Sequence, residues 1–386
     1  MGNLPYIQLS GFYFFYFALL GAIVPYWGLY LKSLGHSAET IGLLMAVLHG
    51  SRIVAPNIWG WVADKTGERV RIVRLGAFFT CLCFAAIFWQ TEALGIGLVM
   101  LAYSFFWNAV LPQFEVITLS HLGDKRDQYS RIRLWGSIGF ILVVVLLGAV
   151  FDRISVSWLP LIMMGLMLAI WLNALSVPAP SVLTTRRAPG DGFLKLLFRP
   201  QVIAFFVVCF LVQFGHGAYY TFYSLLMESV GYSRGQIGML WAAGVIAEVL
   251  VFIYMHRLIR RYGLRLIMLV SLMLCVLRWL MIAFGSDEPG LMLLAQSFHA
   301  ATFGCLHAVG IALVHLYFTE QTQGQGQALF SSFGFGAGGA LGALVSGLIW
   351  DDLGAGWTFS VSAAASLVAV VLTFIWIHPE KVQQRL

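Results

Sequence analysis

The stretch HSAETIGLLMAVLHGSR, His36–Arg52, has a diverged counterpart later in the chain. Displaced by 196 residues it meets YSRGQIGMLWAAGVIAE, Tyr232–Glu248, with Ile41-Gly42 on Ile237-Gly238 and a glycine, Gly35 or Gly231, just ahead of each copy. In the same register Gly67 meets Gly263, and at an offset of 195 GSIGF (Gly136–Phe140) meets SSFGF (Ser331–Phe335). A chain that repeats itself over half its length is built from two like halves. In an apolar chain, two parallel halves are a transporter architecture with the solute site near the membrane midplane. In the first register Arg52 falls on Glu248, so opposite charges occupy equivalent depths of the two halves.

The composition agrees with a membrane protein. Of 386 residues, 60% are hydrophobic and only 10% charged, and mean hydropathy is +0.85. Soluble domains carry roughly 25% charged residues. Apolar runs of about 20 residues, the length that crosses the hydrocarbon core, recur throughout, and the two-residue alternation of a transmembrane β-barrel is missing. The hydropathy breaks predict twelve spans near 7–31, 41–62, 72–90, 97–119, 132–151, 156–177, 201–227, 236–256, 265–285, 290–317, 327–350 and 355–377. With the N-terminus inside, 17 of the 23 Lys and Arg residues fall in cytoplasmic segments, so both termini are expected in the cytoplasm of a bacterial-type inner membrane. The basic balance then faces anionic lipid and requires no nucleic acid. The polar connector Val177–Pro200 divides a six-helix half, residues 1–177, from a second, 201–386, with 178–200 as cytoplasmic linker. The first run is too long for a signal-peptide core and is expected to stay as a span. Five cysteines (81, 83, 209, 275, 305) lie in apolar runs without metal-ligand spacing, which reads as packing.

The loop GWVADKTGERVR, Gly60–Arg71, resembles the G-x-x-x-D-x-x-G-[RK] loop between helices two and three of the major facilitator superfamily, with Gly60, Asp64 and Gly67 in place and Arg69 close by. It is echoed weakly by RLIRRYGLR at 257–265. Within that superfamily PYWGLYLKSLGHSAETIGLL, RIRLWGSIGF, HGAYYTFYS, GMLWAAGVIAEVLVF, VLRWLM and HAATFGCLH resemble the bacterial 3-phenylpropionate/cinnamate proton symporters. More distantly the chain is similar to lactose permease and other oligosaccharide–proton symporters. The resemblance implies an all-α fold of twelve transmembrane helices in two pseudo-symmetric halves, alternating access, no ATP, no cofactor beyond the coupling proton, and no covalent chemistry.

Five charged residues lie well inside spans: Arg52, Glu115, Arg133, Glu248 and Arg278. Such residues are costly in the bilayer and mark solute or proton paths. Glu115 and Arg133 stand on helices joined by one tight turn. They form either a static ion pair or, as the resemblance to lactose permease implies, a substrate-binding pair in which arginine grips a carboxylate with two bonds. Arg278 and His299 match the arginine and histidine of that group's proton-coupling cluster. Three residues after the histidine, where lactose permease has its proton-accepting glutamate, stands Thr302. Glu248 is the replacement, either as proton acceptor or as half of a fixed salt bridge. Arg52 is assigned to a substrate carboxylate or to an acid from another helix. His216, Tyr220 and Tyr26, with Trp107 and Asn108, would supply ring faces and polar edges to a planar aromatic acid, or else pack. His49, His307 and His315 read as helix-packing residues, and GFGAGGALGALVSG, Gly334–Gly347, as a close helix contact.

These observations point to a monomeric secondary transporter taking a small molecule, a proton symporter of an aromatic carboxylate, with membrane lipid as its only other partner. A sugar or nucleoside symporter is the alternative, and a membrane sensor a remoter one. No nucleophile–base pair, metal cluster or phosphate loop argues for an enzyme.

Overall fold

The computed structural model describes residues 4–123, 125, 128–180 and 192–379. Linker residues 181–191, with Arg186 and Arg187, and the basic residues Arg126, Lys381 and Arg385 lie outside them. Among the described residues the chain is helical throughout, without strands. The helices are α1 (Tyr6–Ser33), α2 (Ala38–Thr66), α3 (Arg69–Trp89), α4 (Ala93–Leu122), α5 (Tyr129–Phe151), α6 (Val156–Ser176), α7 (Pro200–Ser229) and α10 (Pro289–Tyr317). Two longer runs complete the set: Arg234–Phe284 with 51 residues and Gln323–Trp376 with 54. At 1.5 Å per residue each is roughly 75–80 Å long, more than twice the ~30 Å hydrocarbon core. Each breaks once, at Gly263 (φ 73°) and Gly354 (φ 80°), giving α8 (234–262), α9 (264–284), α11 (323–353) and α12 (355–376). Ten apolar runs thus supply twelve spans of a multi-pass membrane protein. A five-residue helix, Phe193–Leu197, precedes α7.

The repeat is visible in the backbone. Gly35 and Gly231 both have positive φ (89° and 95°), as do Gly67 and Gly263 (69° and 73°). L-residues with a Cβ rarely adopt this conformation. Each pair lies at the 196-residue offset, so the two halves turn at corresponding residues.

The described residues cluster into two compact units. The first holds those up to His36, from Val54 to Pro180, and Ser233–Ala242; the second holds Ser37–Ile53, Gly192–Tyr232 and those from Ala243 onward. The first half of α2 therefore packs with the second unit, and the start of α8 with the first.

Within the second unit α2 approaches α11 at glycines. A Cβ on Gly42 would lie 2.7 Å from both Gly347 Cα and Ala343 O. In lipid, where association relies on such packing, small residues let backbones touch. Two helices contain π-helical stretches, Ala300–Cys305 in α10 and Phe330–Gly338 in α11. The second overlaps the start of the glycine-rich run Gly334–Gly347.

Gly42→Leu is expected to destabilise the second unit by about 1–3 kcal/mol through overpacking. Gly50→Ala, whose Cβ would meet nothing within 4 Å, should be neutral or stabilising by up to about 1 kcal/mol. Thermal unfolding in detergent distinguishes them, and equal midpoints for both variants would remove the contact from the account.

Candidate functional site

Each unit carries its own cluster of intramembrane polar groups. In the second unit the centre is Arg278 of α9, which has no solvent exposure. Its Nη1 donates to Thr302 Oγ1 at 3.0 Å and to His299 Nδ1 at 3.2 Å, and its Nη2 donates to Gln296 Oε1 at 3.3 Å. The guanidinium also lies 4.3 Å from the centroid of Tyr219 and 4.8 Å from that of Trp279. Every one of these partners is formally neutral.

The arrangement fixes the histidine. A guanidinium only donates, so His299 Nδ1 is the acceptor, and the neutral ring carries its proton on Nε2. That nitrogen faces Glu248 Oε2 at 3.5 Å. Glu248 of α8 thus reaches Arg278 through the imidazole. A second ring proton would point from Nδ1 at a guanidinium N–H, which opposes protonation of the imidazole. Small residues permit the approach of α8 to α10: a Cβ on Gly304 would stand 3.0 Å from Glu248 Cγ, and one on Gly244 3.4 Å from His299 Cβ.

Rings extend the cluster. Phe303 stacks on His299 (5.3 Å, 7°), and His216 lies 5.7 Å from Tyr220, 5.8 Å from Phe303 and 6.2 Å from His299. His216 Nδ1 donates to Val212 O at 2.8 Å, so Nε2 is left as an acceptor with no partner among the described residues. Tyr220 is half-buried, within electrostatic reach of both Arg52 and Glu248, and 6.3 Å from the His49 ring. Arg52, in the α2 segment of this unit, makes no ion pair among the described residues. Arg52, His216, Tyr220, Glu248, Arg278 and His299 are therefore brought together in one unit.

The first unit holds the other group. Trp107 stacks on Tyr16 at 5.1 Å, is 2% exposed, and its Nε1 has no partner among the described residues. Asn108 is buried beside it in sequence. Glu115 accepts from Tyr129 Oη at 3.4 Å. Arg133 lies 3.8 Å over Phe17 and 5.7 Å from Tyr13. Its guanidinium occupies space left by Gly136, where a Cβ would meet Arg133 Nη1 and Phe17 Cδ2 at 2.8 Å. Glu115 and Arg133 feel each other electrostatically, yet no ion pair within 4.0 Å joins them. Tyr26 stands apart, about 15 Å along α1 from Tyr16, with its hydroxyl donating to Val144 O at 2.6 Å and its ring against Phe151.

The loop after α2 is a third polar site. Arg69, 6% exposed, is held by Asp64 and by Gln113 of α4. Arg74 donates to carbonyls at the end of α6, those of Ala174 and Leu175, and to that of Val177 just beyond it, at 2.9–3.2 Å, where a cation also suits the helix dipole. Gly60 borders open space.

Sequence reading did not single out Gln113, Gln296, Tyr129 and Phe17. Gln296 lies three residues before His299, on the same helical face, and that spacing could have found it.

The MFS_1-like family pattern matches residues 6–361. The chain belongs to this family, of the major facilitator superfamily, and is a transporter rather than an enzyme. It is 29% identical over 375 residues to the "Probable 3-phenylpropionic acid transporter" of Escherichia coli (strain K12), covering 93% of this chain and 95% of that one. It is 26% identical over 384 residues to the maltose permease of Geobacillus stearothermophilus, covering 96% and 94%. Among solved structures, a variant of the nucleoside transporter NupG superposes with a TM-score of 0.87 at 21% identity, covering 97% of this chain and all of that one.

Asp64→Ala leaves the Arg69 charge facing Gln113 alone. Because Asp64 is 41% exposed, the expected loss is about 1–3 kcal/mol, less than the roughly 3–5 of a wholly buried pair. Thermal unfolding of Asp64→Ala and of the double variant Asp64→Ala/Arg69→Met checks this. The double variant should recover part of the loss, and an unchanged single variant would make the pair energetically idle.

Proposed function

We propose that the protein is a proton symporter of the inner membrane, with both termini cytoplasmic, that takes up an aromatic carboxylate such as 3-phenylpropionate. The observation that carries the reading is the line Glu248–His299–Arg278. The acid is close enough to sense the imidazole, and is separated by it from the guanidinium. A carboxylate bonded directly to that guanidinium would stay an ion pair; one facing His299 Nε2 can exchange its proton as access alternates. Glu248 is then the coupling acid, with His299 and Arg278 positioning it.

Arg52 supplies the countercharge for the substrate anion, and Tyr220, with His216 behind it, a ring face and polar edge. Within the first unit, taken by itself, Arg133, Glu115, Trp107 and Asn108 are the residues proposed for solute binding. The name of the Escherichia coli relative supports the aromatic acid. Gly60, Asp64, Gly67 and Arg69 act in the conformational cycle rather than on the solute. A nucleoside or sugar is the second reading, favoured by Asn108 and the Trp107 indole N–H, which suit an uncharged polar solute, and by the names of the maltose and nucleoside relatives.

Proteoliposomes under an inward proton gradient provide the test, with labelled 3-phenylpropionate, lactose and a nucleoside in parallel. The acid alone should accumulate, and a protonophore should collapse it. Glu248→Gln should lose uphill accumulation yet retain exchange of internal for external acid. Arg52→Gln should raise KM about tenfold or more, the worth of a charge-assisted bond, with Arg52→Lys recovering part. Full uphill transport by Glu248→Gln sinks the coupling role; accumulation of a neutral solute instead sinks that of Arg52.

A further inference from the structure

The two π-helical stretches of the second unit line one small void. Thr302 and Phe303, from the stretch Ala300–Cys305 of α10, border it together with Phe330 and Phe335, from the stretch Phe330–Gly338 of α11, and Gln213 of α7. Its volume is about 20 Å³, above the roughly 10–15 Å³ that a single water needs. We infer that it is the binding site of one ordered water, which bridges the Thr302 hydroxyl to the Gln213 amide and so completes the surroundings of Arg278. The inference does not depend on which solute is carried.

A hydroxyl has one proton to give as well as lone pairs to fill. Thr302, which has no solvent exposure, accepts from Arg278 Nη1 at 3.0 Å, and no acceptor for its own proton stands among the described residues. Other hydroxyls of the unit give that proton to the carbonyl four residues back, as Thr221 does to Gly217 and Ser346 to Gly342. Thr302, in its π-helical stretch, makes no such bond. Gln213 is a second buried polar group, 8% exposed, and its side-chain amide has no hydrogen-bond partner among the described residues. Left facing a dry void, both groups would lose the bonds that water gives them in the unfolded chain.

Water answers both needs. It accepts the Thr302 proton and donates to Gln213 Oε1, while His307 adds a further polar edge to the lining. A cation in the same place would stand beside the guanidinium that already holds Thr302, and an anion has no proton to give the amide oxygen. Bonds in such a chain polarise one another, so a Thr302 oxygen whose proton is given to water accepts more strongly from Arg278. The neutral match around the buried guanidinium thereby extends one link further, to α7, at the place where α10 and α11 both depart from α-helical winding.

X-ray radiolysis of the full-length protein in detergent tests the site, because the hydroxyl radicals it makes from a bound water oxidise the side chains beside that water. Met268 lines the void and is 2% exposed, whereas Met292, with no exposure, does not line it. Met268 should be oxidised several-fold faster than Met292. Gln213→Leu and Thr302→Val should each bring the Met268 rate down to that of Met292, and Thr302→Ser, which keeps the hydroxyl, should preserve it. Gln213→Leu decides the matter if loss of the bond to Arg278 keeps Thr302→Val from folding. Equal rates at Met268 and Met292 in the unaltered protein overturn the water, and a Met268 rate undiminished by Gln213→Leu overturns the bridge. A thermal midpoint higher in sodium chloride than in sodium gluconate, with the difference lost in Gln213→Leu, overturns the water in favour of an anion.

Discussion

A guanidinium does not shed its charge, so a fully buried Arg278 in a membrane-spanning unit has to be matched where it stands. The match is made by neutral oxygens, an imidazole nitrogen and two aromatic faces drawn from α7, α9 and α10. Tyr219 closes the ring of contacts by donating to Gln296 Oε1 at 2.8 Å. One cation thereby fixes the mutual rotation of three helices, sets the tautomer of His299, and decides which nitrogen is left for Glu248. Removing any single partner would leave a buried charge short of a bond, the most expensive kind of loss in a low-dielectric interior.

Around that polar centre the helices are held by absence of bulk. Gly42 and Gly347 let α2 and α11 touch, and Gly304 and Gly244 admit α8 to α10. The segments that join the opposite unit, 37–53 and 233–242, belong to the pair of stretches related by the repeat. The similarity between the two stretches thus marks equivalent packing tasks, and the Ile-Gly pair common to both is where side chains must stay small: a Cβ on Gly238 would meet Val144 O at 2.5 Å.

Much of this was legible in the sequence. All twelve spans lie where hydropathy predicts, but most of the helices run longer: α2 spans Ala38–Thr66 against an expected 41–62. Hydropathy stops at the first charges, whereas Glu39, Asp64 and Lys65 remain helical in the polar interface. Clustering of Glu248, His299 and Arg278 was also legible, because each breaks an apolar run at similar depth. Direction around a helix was not. Glu115 and Arg133 have compatible depths, yet Arg133 turns onto Phe17 through the opening at Gly136 and stays out of ion-pair range. Tyr26 has a polar edge like its neighbours, and only the fold reveals that a carbonyl on α5 takes it.

Thr302 is the departure that the geometry explains. An acid at that position, as the resemblance to lactose permease implies, would sit where Thr302 Oγ1 now stands, 3.0 Å from Arg278 Nη1. It would be captured as a contact ion pair in this chain. Threonine accepts the same bond without adding charge, and the acid is delivered instead from α8, to the far nitrogen of His299. The imidazole then separates carboxylate from guanidinium while its tautomer registers both. Moving the acid from one helix to its neighbour also ties the protonation state to the contact between α8 and α10, where Gly304 leaves space for the Glu248 side chain and little more. Under the proposed symport, a proton gained or lost there would change a contact between those two helices, which links the proposed coupling acid to helix packing.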